Sequence, residues 1–292
     1  MIMLNRVCCR GCQKIILATI LILWTLSCSK SSYSSNEKIM KAIIKNDINK
    51  LNSILEKENV NIDNTFKVKI NDYIIEMTPL NLSSQIGNYE IAKLLIENGA
   101  DVNMGSYFGM TPLMSASQGG YLEIAQILYE SGADIYAEDE SGRNSLMLAS
   151  QFGNLEMVKF LIENGAEIDA KDNSGDTALK WASLLLLGNR LDIVKYLVES
   201  GADINSRNSV GMTALMWASS IGNLEVVKYL IENGANVNIG NRNGTTALGF
   251  AQNESIKKIL IEAGAINDLY SGEKPNTKSR TIRDKTIDIA TE

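Results

Sequence analysis

The 292 residues are 45% hydrophobic, 21% charged and 6% aromatic, the balance of a chain that folds and not of one that stays disordered. There is no histidine, and all four cysteines (Cys8, Cys9, Cys12, Cys28) lie at or before residue 28. That removes histidine triads, thiol nucleophiles, disulfides and the usual zinc ligands from everything downstream. Three of the 28 basic residues, Arg6, Arg10 and Lys14, fall in the first 27 positions, which hold no acid; the remainder carries 25 basic against 34 acidic residues, a net charge of −9. Such a surface repels phosphate backbones, so nucleic acid is not expected as a partner.

The chain opens with those three bases, then an uncharged run from Ile15 to Leu26, then Ser27–Cys28. A basic stretch, a short apolar core and a small residue before the break form a secretory signal pattern. Twelve residues rise only about 18 Å as a helix, short of a ~30 Å hydrocarbon core, so the run reads as a signal more than a span. Thr25-Leu26-Ser27-Cys28 resembles a bacterial lipobox, which implies lipidation of Cys28; Thr25 stands where that motif usually has leucine. The expected location is therefore the periplasmic or surface side of a bacterial membrane, lipid-anchored, with a secreted form or an uncleaved N-terminal anchor as alternatives. Cys8, Cys9 and Cys12 lie within the basic stretch and have no histidine to complete a metal site. The boundaries expected are 1–27 signal, 28–36 a Ser-rich tether, 37–269 a folded domain, and 270–292 a polar, disordered tail.

Within the folded part, a Gly-x-Thr-Pro/Ala-Leu landmark puts its Thr position at Thr78, Thr111, Asn144, Thr177, Thr213 and Thr246, spaced 33, 33, 33, 36 and 33. A Gly-Ala landmark recurs at Gly99, Gly132, Gly165, Gly201, Gly234 and Gly264. Between them runs a third motif, as in GNLEMVKFLIENGA (153–166) and GNLEVVKYLIENGA (222–235). Several motifs at one period mark a repeat architecture. Thr111–Pro112 fits a helix cap followed by the first helical position, and Gly120, Gly153 and Gly222 fit the left-handed residue that ends that helix. Val158/Leu161/Ile162 and Val227/Leu230/Ile231 form apolar stripes on a second helix. Glu90–Lys93, Glu156–Lys159, Asp192–Lys195 and Glu225–Lys228 are opposite charges three apart, the acid near the positive helix start.

These motifs resemble the ankyrin repeat over roughly residues 37–269. The resemblance implies an all-α solenoid of helix-turn-helix repeats with β-turn or hairpin fingers: about five full repeats and a capping unit at each end. The family's histidine after T-P-L is replaced by Asn81, Met114, Met147, Lys180, Met216 and Gly249, so only Asn81 offers an equivalent polar link between repeats. Alternation on both sides of Asn71–Asp72 predicts a hairpin in a lengthened first finger. The fourth repeat is three residues longer, and an extended first helix burying two of Leu184–Leu187 accounts for it. The last unit is three shorter, which reads as a contracted inter-helix loop.

Partners of such proteins usually meet the finger tips and first helices. In register these carry Tyr107, Phe108 and Met110; Arg143; Met212; and an aromatic column of Trp181, Trp217 and Phe250 forming a continuous ridge. Such aromatics are either binding anchors or packing residues. Glu123, Glu156 and Glu225 recur once per repeat, as a structural position would, and no phosphate loop, dinucleotide turn or calcium loop is present, so no catalytic residue, metal or cofactor is expected. The expected activity is non-catalytic binding of an unidentified protein by a monomer. The second class is an inhibitor or immunity-type protein that occludes an enzyme, and the third an enzyme with acids off the repeat register.

Overall fold

The computed structural model describes residues 35–57, 60–70, 73–184 and 190–266. The signal, Cys28, most of the tether and the tail 270–292 lie outside the described residues. Fourteen α-helices and one hairpin are found among them: α1 Ser35–Ile44, α2 Ile48–Lys57, β1 Phe66–Ile70, β2 Tyr73–Met77, α3 Pro79–Ile86, α4 Tyr89–Glu97, α5 Pro112–Gly119, α6 Leu122–Glu130, α7 Ser145–Phe152, α8 Leu155–Glu163, α9 Ala178–Ser183, α10 Arg190–Glu199, α11 Ala214–Ile221, α12 Leu224–Glu232, α13 Ala247–Phe250 and α14 Glu254–Glu262. No described helix is long and apolar enough to cross a membrane.

The helices pair antiparallel within each unit, and the units stack so that first helices (α1, α3 through α13) pack on first helices and second on second. Helix α1 begins at Ser35, two residues inside the stretch expected as tether. Units α1–α2 and α13–α14 bracket five full repeats, the capping arrangement that a one-dimensional stack requires.

Local chemistry explains each repeat. Thr78, Thr111 and Thr213 accept a hydrogen bond at Oγ1 from the amide three residues on, and Asn144 does so through Oδ1 at 3.0 Å. The first helix then stops at a residue that must turn left-handed. Gly120 has φ +75°, and a Cβ there would come within 2.6 Å of Asn154 Oδ1. That asparagine reaches back to the previous repeat, where its Nδ2 donates to the Ser117 and Gln118 carbonyls at 2.8 and 3.0 Å. Behind the second helices a further asparagine series ties unit to unit. Asn205 donates to the Gly234 carbonyl and accepts from the Asn236 amide, and Asn238 treats Gly264 and Ile266 the same way.

The main core is a continuous cluster between the two helix layers, including Leu95, Leu128, Leu161, Leu197 and Leu230, one fully buried leucine from the second helix of each full repeat, and a smaller cluster of Met114, Leu148 and Phe152 lies beside it. The missing family histidines are replaced by packing: Met114, Met147 and Met216 are at most 1% exposed. Asn81 supplies the polar link, its Nδ2 donating to the Met104 carbonyl of the next finger at 2.8 Å and its Oδ1 accepting from Ser115 Oγ.

The lengthened first finger is an antiparallel hairpin with Phe66 opposite Met77 and Ile70 opposite Tyr73, centred on 71–72 as the alternation predicts. The extension expected after α9, with two of Leu184–Leu187 buried, lies outside the described residues: α9 is described over Ala178–Ser183, and 185–189, with three of the four leucines, are not described. One length change differs from expectation. In the last unit the loop has not contracted; α13 has lost its second turn and spans only Ala247–Phe250. Gly249 weakens the helix, and Asn253 starts α14 by accepting from the Ile256 amide.

Of the charge pairs expected on the second helices, Glu156–Lys159 closes at 2.8 Å and the other three do not; Lys195 lies instead over the Tyr229 ring, 5.9 Å from its centroid. Exposed pairs of this kind contribute little, so the stack does not depend on them.

Candidate protein-binding surface

Beyond the hairpin, each finger is a tight turn closed by backbone hydrogen bonds, and successive turns brace one another. Glu140 N donates to the Phe108 carbonyl at 2.9 Å, Asn173 N to Ser141, Ser209 N to Ser174 and Arg242 N to Val210. The row of turns is therefore one rigid edge beside the first helices. In four of them an Asp or Asn side chain holds two amides of the turn: Asp139 accepts from Ser141 and Arg143, Asp172 from Ser174 and Asp176, Asn208 from Val210 and Met212, and Asn241 from Asn243 and Thr245.

Six of the eight sequence-predicted residues fall into three groups. Tyr107 and Phe108 stand on the surface at the tip of their finger, 37% and 53% exposed, with ring centroids 3.9 Å apart. Met110, at the base of the same turn, is half-buried against Met114, Leu148 and Phe152. Trp181, Trp217 and Phe250 are half-buried and packed on the main core. The structure corrects the expectation of a continuous ridge. Among the described residues only the rings of Tyr107 with Phe108 and Tyr129 with Phe160 meet, so the three column aromatics stand apart. The Trp181 indole turns toward its own finger, Nε1 donating to Asp172 Oδ2 at 3.1 Å.

Two further residues differ from expectation. Met212 is 6% exposed and belongs to the core, its sulfur contacted by Asn241 Nδ2, so the finger shields it and it has no face to offer a partner. Arg143 is committed within its turn, with Nε and the terminal nitrogen 2.9 and 2.8 Å from Asp139 Oδ2.

The sequence reading missed the polar interior of the fourth repeat. Lys180 is 2% exposed and its Nζ donates to the Gly175 carbonyl at 3.0 Å. Burial pushes its pKa down to about 8, against the opposing pull of nearby Asp176. Burial likewise raises the Asp176 carboxyl, held back by a 2.9 Å hydrogen bond from Asn208 Nδ2. The signal was present as a lysine in a column of methionines. Among the described residues no three acidic, His or Cys side chains are grouped to hold a metal ion.

A family model described as Ankyrin repeats (3 copies) matches residues 39–139, 136–208 and 201–270. Among solved structures the fold is similar to the human ASB11 ankyrin repeat domain, at 27% identity and a TM-score of 0.67, covering 78% of this chain and 98% of that one. No curated protein matched the sequence.

Proposed function

This chain belongs to the ankyrin-repeat family, and we propose that it is a non-catalytic scaffold that binds another protein along its finger edge and first helices. The observation that carries this reading is the set of aromatic side chains left part-exposed on that one side: Tyr107 and Phe108 at a tip, Trp181, Trp217 and Phe250 on successive first helices. Large rings held on rigid elements supply contact area at low entropic cost, and such residues dominate interface energetics.

Crosslinking in membrane extracts followed by capture tests it. The native chain is expected to retain a partner that Trp217→Ser does not, while circular dichroism shows the same helical content for both. Loss of the helical fold in Trp217→Ser would assign that ring to packing.

The same proposal extends to location. Arg6, Arg10 and Lys14, the apolar run from Ile15 to Leu26 and Ser27–Cys28 support export and lipidation at Cys28, which would hold the scaffold on a membrane surface. A clickable fatty acid fed to cells should label the native chain and not Cys28→Ser; equal labelling of the two would remove the anchor.

A further inference from the structure

We propose that the finger at 106–110 is a recognition site for a cation, an arginine or lysine side chain on an exposed segment of a partner protein, held by the rings of Tyr107 and Phe108 and the carboxylate of Glu140. This rests on the reading of the chain as a protein-binding scaffold and names the chemistry that one of its fingers takes.

Phe108 has φ +64° and ψ +20°, the left-handed region. Glycine and asparagine adopt it readily, whereas a bulky side chain there is an outlier that persists where something other than local preference retains it. Packing does not retain it: the ring is 53% exposed and belongs to neither core cluster. Nor does the turn-bracing seen in the other fingers. The position held by Asp139, Asp172, Asn208 and Asn241 is Ser106 here, and its side chain makes no capping bond. The corresponding tips of the other fingers carry Ser141, Ser174, Val210 and Asn243. Among the described residues this finger alone places an aromatic pair in solvent, with Phe108 on a backbone that disfavours it.

The electrostatics select the partner. Glu140 N donates to the Phe108 carbonyl, so the exposed Glu140 begins beside the rings. Its carboxylate makes no ion pair among the described residues, because the nearby cation, Arg143, is spent on Asp139. Electron-rich ring faces and an unpaired carboxylate together suit a positive group, and the −9 net charge of the chain beyond residue 27 draws such a group in. An acidic segment would meet repulsion from Glu140. A purely apolar one would use the rings and leave Glu140 beside it with no counter-charge.

A phage-displayed random peptide library panned on the full chain tests this, followed by synthetic peptides from the selected clones. The expected clones are enriched in Arg or Lys. Their peptides should lose at least tenfold in affinity on Phe108→Gly and on Glu140→Gln, and bind more weakly as salt rises. Phe108→Gly should melt at or above the native temperature, since glycine takes φ +64° without strain. Selection without basic enrichment, no selection at all, or binding indifferent to Phe108→Gly would overturn the inference, as would a lowered melting temperature for that variant. None of these touches the scaffold reading, which stands or falls on the capture of a partner by the native chain and its loss in Trp217→Ser.

Discussion

The ammonium of Lys180 donates a 3.0 Å hydrogen bond to the carbonyl of Gly175 from a residue that is 2% exposed. In the neighbouring repeats the same position is Met114, Met147 and Met216, each buried without a charge. The lysine therefore bears a desolvation cost its counterparts avoid, visible in a pKa lowered from 10.5 to about 8. The folded chain binds fewer protons here than the unfolded one, so stability rises with pH between about 8 and 10.5, and below 8 the cost is carried in full. Lys180→Met should be more stable at neutral pH, by an amount on the order of 1–3 kcal/mol once the lost hydrogen bond is counted. Denaturant midpoints measured from about pH 7.5 to 9.5 should climb for the native chain and stay level for the variant. A variant less stable at pH 7, or one that keeps the slope, refutes this account of Lys180.

Two threonines at equivalent helix starts should respond oppositely to the same change. Thr213 Oγ1 accepts from the Met216 amide at 3.3 Å, whereas the Thr177 hydroxyl is buried with no partner. Thr213→Val should cost about 1 kcal/mol, and Thr177→Val should be neutral or stabilising, because it deletes a buried polar atom that bonds nothing. Thermal melts of the two variants side by side decide it; equal losses would mean that Thr177 caps after all.

Asn205 joins two repeats through the Gly234 carbonyl and the Asn236 amide. Removing it in Asn205→Ala should cost about 1–2 kcal/mol and loosen the stack locally, since each unit is held only by its neighbours. Hydrogen exchange should accelerate at Asn236 and in α12 while α3 and α5 keep native protection. Uniform acceleration along the chain would contradict the nearest-neighbour picture.

Met212 and Trp217 separate packing from binding. Met212→Ala should lower stability by about 2–5 kcal/mol and leave partner capture intact at temperatures well below its melt, because the side chain lies under the finger. Weakened capture by a fully folded Met212→Ala chain would return that residue to the binding surface.

Much of the fold was legible in the sequence because it is written in local terms. Thr111–Pro112, Gly120 and the Val158/Leu161/Ile162 stripe each act within a few residues, and the capped start with a left-handed glycine at the end recurs in four units, at Thr78, Thr111, Asn144 and Thr213. The alternation around 71–72 located the hairpin for the same reason. The last unit was read less well. A three-residue deficit can be taken from a loop or a helix, and Gly249 with Asn253 took it from α13. The candidate surface was legible as residue types at register positions. Exposure was not, because it depends on what the next repeat does: Met212 and Phe108 look alike as finger hydrophobics, yet one is 6% and the other 53% exposed.

The sequence by itself determined the period, the helix caps, the absence of histidine and downstream cysteine, and the acid surplus, all properties of residue identity and spacing. Only the tertiary structure decided which of those side chains face outward. It turned Trp181 onto Asp172, spent Arg143 on Asp139, buried Lys180 among methionines and left Phe108 in solvent beside an unpaired Glu140. The physical reason is that periodicity fixes the direction of a side chain within its own repeat, whereas its burial comes from repeats about 33 residues away along the chain and its polar partner from how its own finger folds back on the helix.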